Sequence, residues 1–265
     1  VGSPAHKAGL RAGDIILEVD DQETAGWTVA KAVEKIRGPK GSTVVLSVIH
    51  EKEKTPVDIK IVRDVIIIKS VTGWVKKISC GEKECRETNS GKQIAYIRLS
   101  QFGDKTNDEW VSTVNSINTK IEKDLPAGKA GFRGIVLDLR NNPGGDLNDA
   151  VFIASEFLAS GDVVLSEDSQ GRRSSYKVNR EGKLTKIQLV VLINKGSASA
   201  SEIVAGALQD RKRAKLVGTK SFGKGTIQEA EQLPGGTGIH ITTAKWLTPD
   251  GKWVNETEGL TPDEI

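Results

Sequence analysis

Methionine is absent from the 265 residues, cysteine occurs twice, and aromatic side chains make up only 5%. The charges all but cancel, with 38 basic against 35 acidic residues, so bulk charge gives no reason to expect nucleic acid or an anionic membrane as partner. Long apolar runs are lacking too. Stretches such as Leu189–Ile193 fall far short of the roughly 20 residues that a membrane-spanning helix needs. Two thiols and three scattered histidines, His6, His50 and His240, lack the spacing of a structural zinc site, so neither a metal nor another cofactor is expected. With no methionine and an opening at Val1 inside what reads as a folded module, the chain reads as a piece of a longer protein, any leader lying upstream.

What is present is globular. Hydrophobic residues make up 37%, and 28 glycines bring the apolar share to roughly 48%, the ordinary value. The length favours two domains. Cys80 and Cys85, with four residues between them in a polar stretch, are either loop thiols or a small surface disulfide that would suit an oxidising compartment.

Residues 1–64 read as one small unit. A Gly-Asp turn leads into a strand at Ile15–Val19, and Val29, Ala32, Val33 and Ile36 form a helical stripe closed by Gly38-Pro39. Strands follow at Thr43–Ile49 and Val57–Val62. Residues 65–265 form the second unit, opening with a connector at 65–92 whose strand covers Val65–Lys69, with a turn at Thr72-Gly73. Beyond it strands and helices alternate. A strand at Ile94–Leu99 precedes a helix over Asn107–Ile121 with Trp110, Val114, Ile117 and Ile121 on one face. The apolar strand Gly134–Leu137 leads to a helix carrying Leu147, Val151, Ala154 and Leu158. Then come strand Leu189–Ile193, a helix from Ser199 to Gln209, and strand Lys215–Val217. Unbroken apolar strands are expected to be buried on both faces, which makes the fold class mixed α/β.

Three segments can carry chemistry. Gly196–Glu202 (GSASASE) joins a buried strand to a helix start, where unpaired N–H groups can hold a developing oxyanion. Small residues and a capping serine also explain that segment on their own. A nucleophilic serine needs a base, and no histidine has a suitable setting. Lys224, in Ser221–Gln228 (SFGKGTIQ), is the candidate: Phe222 would shield it and Gln228 would hold its neutral amine without adding charge. The same stretch fits a phosphate-loop spacing from Gly218 to Lys224, but Gly225 replaces the required hydroxyl and no helix follows. Leu137–Gly145 (LDLRNNPGG) ends a strand in a glycine turn, and Gly145 or Gly144 could supply a second oxyanion N–H beside that of Ala200. Ser197 and Ser201 are rival nucleophiles. Asp210, about three turns down the helix from Ser199, either bears on the site or, more simply, is solvent-exposed, and Arg211-Lys212-Arg213 at the helix end reads as dipole complementation and a solvated face.

Gly2–Ile16 (GSPAHKAGLRAGDII) resembles the PDZ domain of bacterial proteases, whose carboxylate-binding loop would precede Val1. Together with LDLRNNPGG, GSASASE and SFGKGTIQ in that order, it makes nearly the whole chain resemble the carboxy-terminal processing, or tail-specific, proteases. The resemblance implies a PDZ-like domain followed by a crotonase-like protease core. It implies Ser199 as nucleophile, Lys224 as general base, Gln228 in support, and an oxyanion hole from Gly145 and Ala200. Its implied partners are protein substrates bound as extended C-terminal peptides, its implied location is outside the cytoplasm (periplasm, cell envelope or thylakoid lumen), and homo-oligomers are compatible with it. The competing functions are an inactive peptide-binding adaptor of the same fold and a crotonase-type acyl-CoA enzyme, though the latter leaves the PDZ-like unit unexplained.

Overall fold

The computed structural model describes residues 2–66, 69–81, 85–88, 91–124, 131–234 and 237–265. The chain divides into two compact units, Val1–Ile68 and Lys69–Ile265.

The first unit contains α1 (Pro4–Lys7), β1 (Ile15–Val19), β2 (Gln22–Glu23), α2 (Val29–Ile36), β3 (Thr43–Ile49) and β4 (Val57–Val62). Its antiparallel sheet has the order β2-β1-β3-β4. The alternation of β3 turns Val44, Leu46 and Val48 inward, where they pack with Val19, Ile59 and Ile61. Thr28 caps α2 by accepting the Lys31 N–H at 3.2 Å. The expected apolar stripe of α2 is only partly used. Ile36 packs on the core, whereas Val29 stays 81% exposed and Val33 38%.

The second unit continues with β5 (Val71–Cys80), β6 (Cys85–Glu87), β7 (Lys92–Leu99), α3 (Thr106–Asp124), β8 (Phe132–Asp138), α4 (Leu147–Ala154), β9 (Asp162–Asp168), β10 (Arg173–Lys177), β11 (Leu189–Ile193), α5 (Ala200–Asp210), β12 (Lys215–Gly218), β13 (Thr226–Gln232) and β14 (Gly238–Leu247). A six-stranded sheet has the order β12-β11-β8-β7-β5-β6; β7, β8, β11 and β12 run parallel and β5 and β6 antiparallel. A second, antiparallel sheet has the order β10-β9-β14-β13.

Burial of the central strands departs from expectation. β11 alternates between buried and half-buried residues, and β8 does so over its C-terminal half. Ala95, Ile97, Ile135, Leu137, Val191 and Ile193 share one core with Trp110 of α3, Ile153 of α4 and Val204 of α5. The helices therefore cover one face of the sheet, and the other carries half-buried side chains such as Tyr96 stacked on Trp74 at 5.0 Å.

The connector also differs from its sequence reading. Val65, Ile66 and Lys69 lie outside any strand, and residues 67 and 68 fall outside the described residues. Thr72-Gly73 is no turn but lies within β5, because α3 crosses so closely that a Cβ at Gly73 would meet Thr113 Cγ2 at 2.6 Å. The polar cysteine segment is a hairpin. Cys80 is disulfide-bonded, and Cys85 lies directly opposite it in the β5–β6 pairing.

Candidate active site

The parallel strands β8 and β11 both end at the same edge of their sheet, and each runs into one of the glycine- and serine-rich segments. The two loops are stitched together by side chains that look interchangeable in the sequence. Ser197 is fully buried and its hydroxyl donates to Leu139 O at 2.9 Å. Ser201 is equally buried, donating to Asn142 O and Ala198 O, both at 2.9 Å. Both rivals are thus spent on structure. Ser199 between them is only partly buried; it closes a capping box with Glu202 at the helix start, the Glu202 N–H also reaching the Ser199 carbonyl at 2.7 Å, and its hydroxyl proton is donated to nothing among the described residues.

Ser199 also has φ 56° and ψ −119°, a backbone conformation that non-glycine residues rarely adopt and that costs about 1–3 kcal/mol. Its neighbours hold it there. Ala198 N–H donates to Asn142 O at 2.9 Å, and the Ser199 N–H donates to Glu202 Oε2 at 2.8 Å. Gly144 presses against the same turn from the other loop. A Cβ there would lie 2.8 Å from Ser199 Cβ and 2.9 Å from Ala200 N, and φ is 95°. Between the two glycines a difference emerges. The Gly144 N–H is taken by Asn142 Oδ1 at 2.9 Å, whereas the N–H groups of Gly145 and Ala200 donate to nothing among the described residues.

Glu202 is the residue whose part the sequence did not reveal. It is wholly buried, yet each carboxylate oxygen accepts two bonds. Oε2 takes the N–H groups of Ser199 (2.8 Å) and Lys224 (3.0 Å), while Oε1 takes the Ser221 hydroxyl (2.6 Å) and the Gly223 N–H (2.7 Å). One buried anion therefore ties the serine turn to the lysine loop. A buried carboxylate is tolerable only with such full satisfaction. The loop is fixed from the other side as well, since Trp246 Nε1 donates to Lys224 O at 2.9 Å.

Ser199, Lys224, Gln228 and Gly145 all line one cavity of about 410 Å³, with Tyr176, Ile203, His240 and Trp246. The Lys224 Nζ has no hydrogen-bond or ion-pair partner among the described residues. Two details of its expected surroundings change. Phe222 is 65% exposed and does not line this cavity; Ile203, Ile227 and Trp246 supply the apolar wall. Gln228 is exposed and its amide reaches Thr242 Oγ1 at 3.4 Å rather than Lys224. His240, set aside from the sequence, lies in the cavity, because β14 folds back along β13 and pairs His240 with Ala230.

Other charged residues have structural work. Asp210 is not solvated: its side chain is 3% exposed and accepts from Asp250 N (3.0 Å) and Lys252 Nζ (2.9 Å). Nor is Arg213, whose guanidinium donates to Phe157 O at 3.0 Å, to Leu184 O at 2.7 Å and to Ile187 O. Asp138, at the end of β8, is fully buried against Arg140 (2.8 Å), Tyr96 (2.6 Å) and Arg98 (3.3 Å). Burial pushes its carboxyl up, but the bonds from Arg140 and Tyr96 outweigh this and hold it below its usual value. A larger hollow of about 810 Å³ opens at the opposite ends of β8 and β11, lined in part by Arg133, Lys186 and Arg213, and contains none of the candidate residues. No group of histidine, cysteine and acidic residues arranged to hold a metal occurs among the described residues.

These elements define a class: a small antiparallel unit followed by an α/β unit whose strand-end loops bring a strained serine and an unpaired lysine to one cavity. Residues 93–265 match Peptidase family S41 and residues 1–49 match the PDZ domain, and the chain belongs to peptidase family S41. It is 39% identical to a carboxy-terminal-processing protease of Bartonella bacilliformis, over 99% of this chain and 56% of that protein. Identity to a carboxyl-terminal-processing protease of a Picosynechococcus species is also 39%, over 100% of this chain and 58% of the relative. The solved structure of a photosystem II D1 C-terminal processing protease matches with a TM-score of 0.64 at 32% identity, covering 100% of this chain and 66% of that one. The chain thus spans a little over half the length of the curated relatives.

Proposed function

We propose that this chain carries the catalytic part of a serine endopeptidase that recognises protein substrates by their C-terminal tails. Neutral Lys224 takes the proton from the Ser199 hydroxyl as its oxygen attacks the scissile carbonyl. The negative charge of the tetrahedral intermediate rests on the N–H groups of Gly145 and Ala200, the uncommitted donors of the two loops. Lys224 then gives its proton to the leaving amine, and water, deprotonated in turn by Lys224, releases the acyl group. Gln228 supports the neutral amine by turning from its long contact with Thr242. No step calls for a metal or cofactor.

The observation that carries this reading is the convergence of Ser199, strained and with its hydroxyl proton undonated, and Lys224, without a side-chain partner among the described residues, on one cavity, their backbones held by one buried carboxylate. Peptide docking fits the first unit, where the exposed Val29 and Val33 of α2 offer an apolar wall for a strand added alongside. The disulfide at Cys80 supports a location outside the cytoplasm. The test is incubation with an unfolded protein ending in a small apolar tail. Wild type is expected to cleave it and Ser199→Ala to leave it intact. Binding without cleavage by the wild type would leave only a peptide-docking adaptor.

A further inference from the structure

Two N–H groups can share an oxyanion only if their spacing is fixed in advance, and those of Gly145 and Ala200 belong to different loops. One residue bonds to both loops. Asn142 is fully buried, so it reaches no ligand itself. Its Nδ2 donates to Leu99 O at the end of β7, and its Oδ1 accepts the Gly144 N–H, both at 2.9 Å. Its carbonyl accepts twice from the serine turn, from the Ala198 N–H and from the Ser201 hydroxyl, again at 2.9 Å. Its own N–H donates to Leu139 O at 3.2 Å, so every polar group of the residue is engaged.

These bonds decide where the two donors point. A trans peptide unit is planar, and its C=O and N–H point in opposite directions. The Gly144 carbonyl and the Gly145 N–H form one such unit. The Phe102 N–H donates to the Gly144 carbonyl at 3.0 Å, which aims the Gly145 N–H the other way. The preceding unit is held through the Gly144 N–H by Asn142. Both units beside Gly144 are therefore pinned, although glycine alone would let them turn. On the serine side, Asn142 O holds Ala198 and Ser201, and the Ala200 N–H lies between these two anchors.

We propose that Asn142 is the positioning residue of the oxyanion hole, setting the Gly145 and Ala200 N–H groups at one spacing without touching substrate. The inference rests on the peptidase reading and adds a residue to that site. A second pair ties the same loops and provides a control. Asn141 N–H donates to Asn194 Oδ1, and Asn194 Nδ2 to Asn141 Oδ1, both at 2.9 Å. Neither side chain bonds to Gly144 or to residues 198–201 among the described residues.

The test is steady-state cleavage of a fluorogenic alanine-rich peptide, with inhibition by the matching peptide boronate, whose tetrahedral adduct places an oxygen in the hole. Asn142→Leu keeps the volume but loses the side-chain bonds. It is expected to lower kcat about a hundredfold, as for one lost oxyanion donor, and to weaken the boronate by a similar factor. KM should stay within about twofold, and Asn194→Ala should lose less than about tenfold in kcat. Asn142→Asp keeps an acceptor for Gly144 but, once ionised, has no donor for Leu99 O. It should show the same split more weakly, deepening as pH rises, and it decides the question if Asn142→Leu does not fold. An unchanged kcat, a loss confined to KM, or a fall in kcat without a fall in boronate affinity would overturn the role. So would Asn194→Ala matching Asn142→Leu. Wild-type protein that neither cuts the peptide nor binds the boronate would sink the peptidase reading, and this inference with it.

Discussion

Two buried carboxylates carry most of the precision at the residue scale. Glu202 satisfies four donors from segments 19 to 22 residues away and from its own helix entry. Glu202→Gln puts an amide N–H₂ against donors at one of the two oxygens. It is expected to cost about 1–3 kcal/mol of stability, and to lower kcat far more than it raises KM, because both Ser199 and Lys224 lose a backbone anchor. Denaturant unfolding and steady-state kinetics check the two halves. The motif GSASASE displays Glu202, but its partners Ser221 and Gly223 are legible only once the chain has folded. Ser197 and Ser201, by contrast, are separated from Ser199 by a criterion sequence cannot apply, namely which hydroxyl is already bonded. Asp138 makes a pH prediction. Its pKa is lowered by Arg140 and Tyr96 against the opposing effect of burial, so the fold favours the ionised form. The stability this lends is complete above the ordinary carboxylate range near pH 4 and is lost as pH falls through the lowered folded value. Urea midpoints should therefore hold from pH 7 to about 5 and fall below about 4, whereas in Arg140→Gln, where burial is no longer outweighed, the midpoint at pH 7 should already be lower and the fall on acidification smaller. A variant whose midpoints track the wild type throughout would count against the pairing.

Elements were read well where one face decides the pattern. The α3 stripe of Trp110, Val114, Ile117 and Ile121 is buried as its spacing implies. The apolar run of β11 misleads, because five consecutive apolar residues look alike whether a strand is covered on one face or two. Only the burial alternation shows that α3, α4 and α5 share one face. Gly73 misleads for another reason: glycine signals a turn in isolation, but here it admits a crossing helix. At the β5–β6 hairpin the disulfide spans only four intervening residues, so the entropy it removes from the unfolded chain is small. Reduction with a dithiol is expected to cost about 2 kcal/mol or less, and to leave the reactivity of Ser199 untouched, since the hairpin lies at the far edge of the sheet from β11. Thermal melts with and without reductant check the first point, and serine labelling under the same conditions the second.

On the scale of the whole molecule, two separate hydrophobic cores serve two tasks. One gathers around Val44, Leu46 and Val48 in the first unit, and the other runs from Val71 to Leu260 in the second. The order of motifs made both units legible, because a PDZ-like signature followed by three strand-end segments is far more specific than any one of them. Which histidine reaches the cavity was not legible, as that depends on the β13–β14 register. The central claim is that Lys224 activates Ser199 and no other serine. Its most direct test is a serine-directed fluorophosphonate followed by mass spectrometry of the intact protein and its peptides, at neutral pH. One adduct per chain is expected, on the peptide containing Ser199, with labelling slowed about a hundredfold or more by Lys224→Arg, whose guanidinium cannot serve as base. Wild-type protein that takes up no label, or labelling at Ser199 that proceeds unchanged in Lys224→Arg, would contradict that claim.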